Sequence, residues 1–277
     1  MSAENSTRSS RVIAARGRST TRVAIIRHAE APRAFSLIEL LVVLAVTVIL
    51  TSLLFPAFRD VRESAQRLSC ASNMRQVGAA LILYSSDHGE HLPPSRFGIA
   101  GTLLNPQEMM AANIGPGSAL LPLGPQGDWD GIGWLVAPFT GQYVDTCACL
   151  YCASHHGEHP FERYAATFEK PDGTRIYTNY HYIGDRELGG DEDKVVRMTN
   201  AHEQVLMTDG LRTKSDFNHS IGANVLHGDC AVTWFFDTGN TVRDLLPDGT
   251  LPADGQISLY TTMWNSIRKA SNGPTAQ

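Results

Sequence analysis

The sequence predicts an α+β fold in which a long N-terminal helix packs on an antiparallel sheet with long loops. Three observations predict it. Positions 35–58 are apolar or small except for Ser36, Glu39, Thr47, Thr51 and Ser52. Positions 59–88 contain no proline, a single glycine (Gly78) and many good helix formers, so the helical pattern continues past the apolar run. From Pro94 onward, short apolar runs are separated by Gly, Pro, Asn and Asp, which is the pattern of strands and turns.

Composition narrows the function classes. The chain has 277 residues, a formal net charge of -5 and a pI near 6.0. Phosphate binding needs clustered Lys or Arg, and no such cluster follows position 34, so a nucleic-acid partner is not expected. Basic charge is concentrated at the start, where Arg8, Arg11, Arg16, Arg18, Arg22, Arg27 and Arg33 are opposed only by Glu4 and Glu30. That asymmetry is a topology signal and places the N-terminal side in the cytoplasm.

Residues 1–34 lack a sustained apolar period and read as a basic leader. A helix over 35–58 rises roughly 36 Å at about 1.5 Å per residue, enough for a hydrocarbon core of about 30 Å. The alternative is a buried core helix, but such helices rarely run this long without a polar face. Residues 59–88 form the outer half of the same helix. Cys70, Met74, Val77, Leu81 and Tyr84 follow 4-3-4-3 spacing and share one face, whereas Val61, Ala65 and Leu68 form a separate stripe; the first stripe is expected to pack on the head. Gly89, Pro93 and Pro94 end the helix.

Residues 89–270 read as an exported globular head and 271–277 as a frayed tail. Within the head, 98–133 reads as a long loop carrying one short helix over 107–113. The clearest hairpin pairs 223–227 with 231–235 around a Gly228-Asp229 turn. No second long helical period is evident.

The five cysteines, Cys70, Cys147, Cys149, Cys152 and Cys230, all follow the apolar segment. An exported head meets an oxidising compartment, so all five are disulfide candidates, and the odd count leaves at least one unpaired. Cys70 lies on the stripe that faces the head, which makes a bridge to the 147–152 cluster reasonable. Cys149, Cys152 and His155 have metal-like spacing and could supply three zinc ligands, and a redox role is a further alternative. Asp191, Glu192 and Asp193 offer oxygen ligands for calcium, although acidic loops are usually only solvated. No cofactor is expected outside these two metal alternatives. His219 and Asp229 could be half of a catalytic triad, but no activated nucleophile accompanies them, and a hydrogen bond closing a strand end is the simpler expectation. Trp129, Trp134 and Trp234 read as core positions, with a carbohydrate platform as the alternative.

The junction Arg33-Ala34-Phe35-Ser36-Leu37-Ile38-Glu39-Leu40-Leu41 resembles the class III signal of type IV prepilins and type II secretion pseudopilins. The resemblance implies cleavage between Ala34 and Phe35 by a prepilin peptidase, methylation of the new Phe35 amine, and retention of the apolar helix. Glu39 then stands at the fifth mature position. A carboxylate near the end of a spanning helix costs a few kcal/mol and needs a partner; by resemblance, that partner is the N-terminal amine of a neighbouring subunit, the alternative being that Glu39 reaches the headgroups. Pro56 falls at the twenty-second mature position, where pilin helices commonly carry a kinking proline. Ala34 replaces the usual glycine, and the leader is longer than most.

The head resembles a subgroup with an H-X9-DG domain of the DUF1559 type, through the 70–76 segment, the 87–94 segment, and His219 followed by Asp229. Cys230 stands where that motif has glycine, and Cys152-Ala153-Ser154 is similar to a Cys-Pro-Ser element of the family. The implied role is structural and not enzymatic: a subunit of a pilus-like or type II secretion pseudopilus filament. Its partners would be the prepilin peptidase, other pilin-like subunits, an inner-membrane assembly platform and membrane lipids. The rival readings are a membrane-anchored binding protein for glycan or cargo that never polymerises, and a zinc-dependent surface hydrolase.

Overall fold

The computed structural model describes residues 35–95, 106–114, 129–137, 143–169, 174–185, 195–202, 204–219, 221–251 and 253–271. The leader with Ala34, the acidic Asp191, Glu192 and Asp193, and the 272–277 tail lie outside the described residues. Two compact units divide the chain, Met1–Ser52 and Leu53–Gln277.

Helix α1 runs over Leu37–Asp87. Its first part is apolar and exposed, and it supplies a window of mean hydropathy 2.7, long and apolar enough to cross a membrane. The hydroxyls of Thr47, Thr51 and Ser52 donate to the carbonyls of Leu44, Thr47 and Ile49, which satisfies them within the helix as a hydrocarbon environment requires. The helix ends where Gly89 and Glu90 adopt positive φ (63° and 68°) and the Glu90 N–H returns to the Ser85 carbonyl at 2.8 Å, a left-handed termination of the kind glycine favours.

In the second unit, Cys70, Met74, Val77, Leu81 and Tyr84 are buried, while Val61 and Leu68 are exposed. The expected division of stripes holds. The buried stripe shares one core with Tyr180, Tyr182, Leu206, Met207 and Leu226 of a four-stranded antiparallel sheet. Its strands are β3 (Tyr180–Tyr182), β4 (Val205–Asp209), β5 (Gly222–His227) and β6 (Val232–Phe236), in that order. A separate pair joins β1 (Ala111–Asn113) to β2 (Ile176–Tyr177), and a short helix, α2, covers Phe161–Glu169.

Three local expectations are corrected. The short helix over 107–113 is a 3-10 turn at Pro106–Glu108 followed by β1. Tertiary contacts decide this, because the Gln107 side chain donates to the Arg212 and Gly249 carbonyls and the Thr178 N–H takes the Met110 carbonyl. The hairpin loop is three residues rather than two: the His227 N–H bonds the Ala231 carbonyl, the Cys230 N–H bonds the His227 carbonyl, and Cys230 has φ 63°. That is a turn followed by a left-handed residue, the usual three-residue hairpin geometry.

Most consequential is helix α3 (Ala253–Ser271), which the head's strand-and-loop pattern did not suggest. Its Tyr260, Met263, Trp264 and Ile267 are fully buried against Val205, Ala223, Val225 and Phe235. The sheet is therefore covered on both faces, and every residue of β5 is buried. Alternation along β5 sorts the faces: Ala223 and Val225 join the α3 core, and Leu226 joins the α1 core.

Candidate functional site

The N-terminal segment holds the first group of candidate residues. Phe35 is 83 % exposed, and Leu37, Ile38, Leu40 and Leu41 are exposed beside it. Glu39 Oε2 accepts the Ser36 N–H at 2.8 Å, serving one of the four donors that a helix start leaves without an intrahelical acceptor. A carboxylate has about four acceptor positions, so one oxygen can cap its own helix while the group still faces another cation. Pro56 lies inside α1, which runs through it.

A second group is assembled in the head behind the outer half of α1. Cys70 of α1 and Cys152 are joined by a disulfide; Cys147, Cys149 and Cys230 are free thiols. Around the bridge, Gln66 donates to the Ala153 carbonyl, Asn73 donates to the Tyr151 carbonyl at 2.9 Å, and the Cys152 N–H goes to Asn179 Oδ1. Arg67 lies 4.0 Å above the ring of Trp234. One face of α1 thus clamps the 151–153 segment and the β5–β6 hairpin.

His219 sits in the same place. Its Nδ1 is 2.7 Å from Glu63 Oε1, and its Nε2 is 3.4 Å from Asp209 Oδ2, 3.4 Å from Asn224 Nδ2 and 3.5 Å from Cys152 Sγ. Asp209 is fully buried and its Oδ2 also accepts the Asn224 N–H, while Oδ1 has no hydrogen-bond partner among the described residues. Burial pushes the Asp209 carboxyl up to about 6, against the pull of His219. Asp229 is elsewhere: its Oδ1 accepts the Ala231 N–H at 2.9 Å and shapes the hairpin loop. His219 and Asp229 therefore flank the two ends of β5, and the spacing between them is the length of that strand and its turn.

Cys149, Cys152 and His155 are not brought together as a ligand set. Among the described residues the Cys152 sulfur clusters instead with Cys70, Asp209 and His219, burial pushes the Cys149 thiol up to about 12, and His155 Nδ1 faces Asn218 Oδ1 at 2.7 Å. Trp129 is buried, Trp134 packs against the same core, and Trp234 is half-buried beneath Arg67.

Sequence reasoning did not single out Glu63 or Asp209. A signal existed for Glu63, since it precedes Cys70 by seven residues, two helical turns along the same face. Asp209 carried none, because it reaches His219 only through the pairing of β4 with β5.

A family described as "Prokaryotic N-terminal methylation motif" matches residues 32–55, the segment built around Phe35 and Glu39. The chain carries a prepilin-type N-terminal methylation motif and is similar to pilin-like proteins over that segment. A second family, "Protein of unknown function (DUF1559)", matches residues 59–144, from the outer half of α1 into the head; the His219 to Asp229 segment lies beyond that match. Over 116 residues the chain is 28 % identical to the type II secretion system core protein G of Klebsiella michiganensis, a match that spans 42 % of the chain and 81 % of that protein. No solved structure matches it.

Proposed function

We propose that the chain is a structural subunit of a pilus-like or type II secretion pseudopilus filament, anchored in the bacterial cytoplasmic membrane by α1. In this reading a prepilin peptidase removes residues 1–34, the Phe35 amine is methylated, the Arg-rich side stays cytoplasmic and the head is exported. Subunits associate through their 35–58 segments, and Glu39 pairs with the Phe35 amine of a neighbour. An inner-membrane assembly platform and membrane lipids are the remaining partners, and the subunit itself performs no chemistry.

The observation that carries the reading is a carboxylate, Glu39, in the first turn of an exposed apolar helix inside a segment that matches the methylation motif. Burying such a charge costs several kcal/mol unless a partner compensates. A neighbour's terminal ammonium supplies the compensation and fixes the register.

Two experiments test it. Mass spectrometry of the membrane-expressed protein should find a chain that starts at Phe35 and carries one methyl group. Glu39→Ala should be cut normally yet fail to enter filaments sheared from cells that also produce the wild type. Incorporation of Glu39→Ala at the wild-type level would reject assembly through this carboxylate and favour an anchored head that binds glycan or cargo as a monomer.

A further inference from the structure

We propose that Cys70, Cys152, Asp209 and His219 form a zinc site when the two cysteines are reduced, so that the same sulfurs either hold one Zn2+ or close the disulfide. The four residues are buried, and one donor atom from each lies within 4.8 Å of the others. Two thiolates, one imidazole nitrogen and one carboxylate oxygen are the ligand types zinc takes, in a tetrahedron with no position left open.

The spacing supports the set. Zinc bonds of about 2.3 Å to sulfur and about 2.0–2.1 Å to nitrogen or oxygen give tetrahedral edges of about 3.3–3.8 Å. Two edges already have that length: His219 Nε2 is 3.4 Å from Asp209 Oδ2 and 3.5 Å from Cys152 Sγ. The imidazole is also oriented for ligation. Glu63 holds Nδ1 at 2.7 Å, which leaves Nε2 directed at the sulfur and the carboxylate, as in carboxylate–histidine–zinc arrangements. Among the described residues Asp209 Oδ1 is buried without a hydrogen-bond donor, an acceptor that a bound cation beside it would compensate.

The two states interconvert by balanced steps. In the reduced chain Zn2+ displaces one proton from each thiol and bonds both sulfurs. A disulfide oxidant, a protein or small-molecule RSSR, then accepts two electrons from the thiolates; the Cys70–Cys152 bond forms, the oxidant leaves as two thiols after taking up two protons, and Zn2+ departs. Metal would hold α1 against the head until oxidation makes that attachment covalent.

The test uses the full chain in detergent with Cys147→Ser, Cys149→Ala and Cys230→Ala, so that Cys70 and Cys152 are the remaining sulfurs able to ligate as thiolates. After phosphine reduction it is titrated with Co2+ and then Zn2+. One Co2+ per chain should bind with a thiolate-to-metal charge-transfer band, Zn2+ should displace it, and the oxidised chain should show no band. Glu63→Gln should weaken Zn2+ binding about 10- to 100-fold while leaving the melting transition of the oxidised chain in place. The proposal is overturned if the reduced chain shows no band, if the band survives closure of the disulfide, or if it is unchanged in His219→Ala and Asp209→Asn. The reduced-against-oxidised comparison requires no substitution among the four ligands, so it stands even where a ligand variant fails to fold.

Discussion

Cys230 shows how a single residue can serve two conflicting demands. Its φ of 63° is a conformation that costs a residue with a Cβ about 1–2 kcal/mol, and glycine would adopt it freely. Yet its thiol donates to the Gly78 carbonyl at 3.2 Å, and a Cβ at Gly78 would stand 3.2 Å from the sulfur and 3.1 Å from Leu226. Helix and hairpin meet closely there because both partners are small. Cys230→Ala keeps the strain and loses the thiol contact, so it should destabilise by about 1 kcal/mol. Cys230→Gly should melt above Cys230→Ala, by about 1 kcal/mol of stability, because it relieves the strain. Thermal unfolding of the two variants checks the order.

Buried titratable residues set the pH response. Burial pushes His181 and His159 down to about 3 from 6.5, with the Arg212 charge contributing to each. The unfolded chain takes up protons there that the folded chain refuses, so these groups stabilise the fold above pH 6.5 and that stability is lost as pH falls toward 3. Asp209 acts in the opposite sense, since a carboxyl raised from 3.8 to about 6 keeps a proton in the folded state and weakens the fold as pH rises through that window. Asp209→Asn should therefore steepen the acid loss of stability between pH 6 and pH 4, by up to about 1.4 kcal/mol per pH unit. Urea unfolding at a series of pH values measures the slope.

At the scale of elements, α3 is what distinguishes the head from a half-open sheet. Trp264 is fully buried among Tyr260, Met263 and Ile267 on the sheet face opposite α1. Trp264→Ala should cost about 3–5 kcal/mol through lost burial and the cavity left behind, read as a fall in melting temperature and as dye binding to the uncovered face. The disulfide works on the other face. It closes a separation of 82 residues, and its removal in a Cys70→Ser, Cys152→Ser double variant should cost about 2–5 kcal/mol.

Across the whole molecule, the burial pattern separates two kinds of stability. Every buried apolar residue described lies at Cys70 or beyond, whereas the large apolar residues from Phe35 to Phe58 are exposed. The second unit should thus hold its core without the first. A chain beginning at Arg59 should unfold cooperatively with the Cys70–Cys152 bridge in place, while the exposed apolar segment adds nothing to that core. Circular dichroism of such a chain, compared with the full-length protein in detergent, is the check.

The sequence by itself determined the long helix, its division into an apolar half and a striped half, the carboxylate at Glu39, and the hairpin around Asp229. These are local properties, set by periodicity and by residue type within a few turns of chain. Only the tertiary structure decided that Cys70 pairs with Cys152, that His219 meets Asp209 and Glu63 rather than Asp229, and that α3 closes the second face of the sheet. Each of these joins residues far apart in sequence through strand pairing or helix packing. In α3 the apolar residues are interrupted by Gly255, Ser258, Thr261, Thr262, Asn265 and Ser266, poorer helix formers than those of α1, so its helical period becomes decisive only when a sheet face is there to receive it.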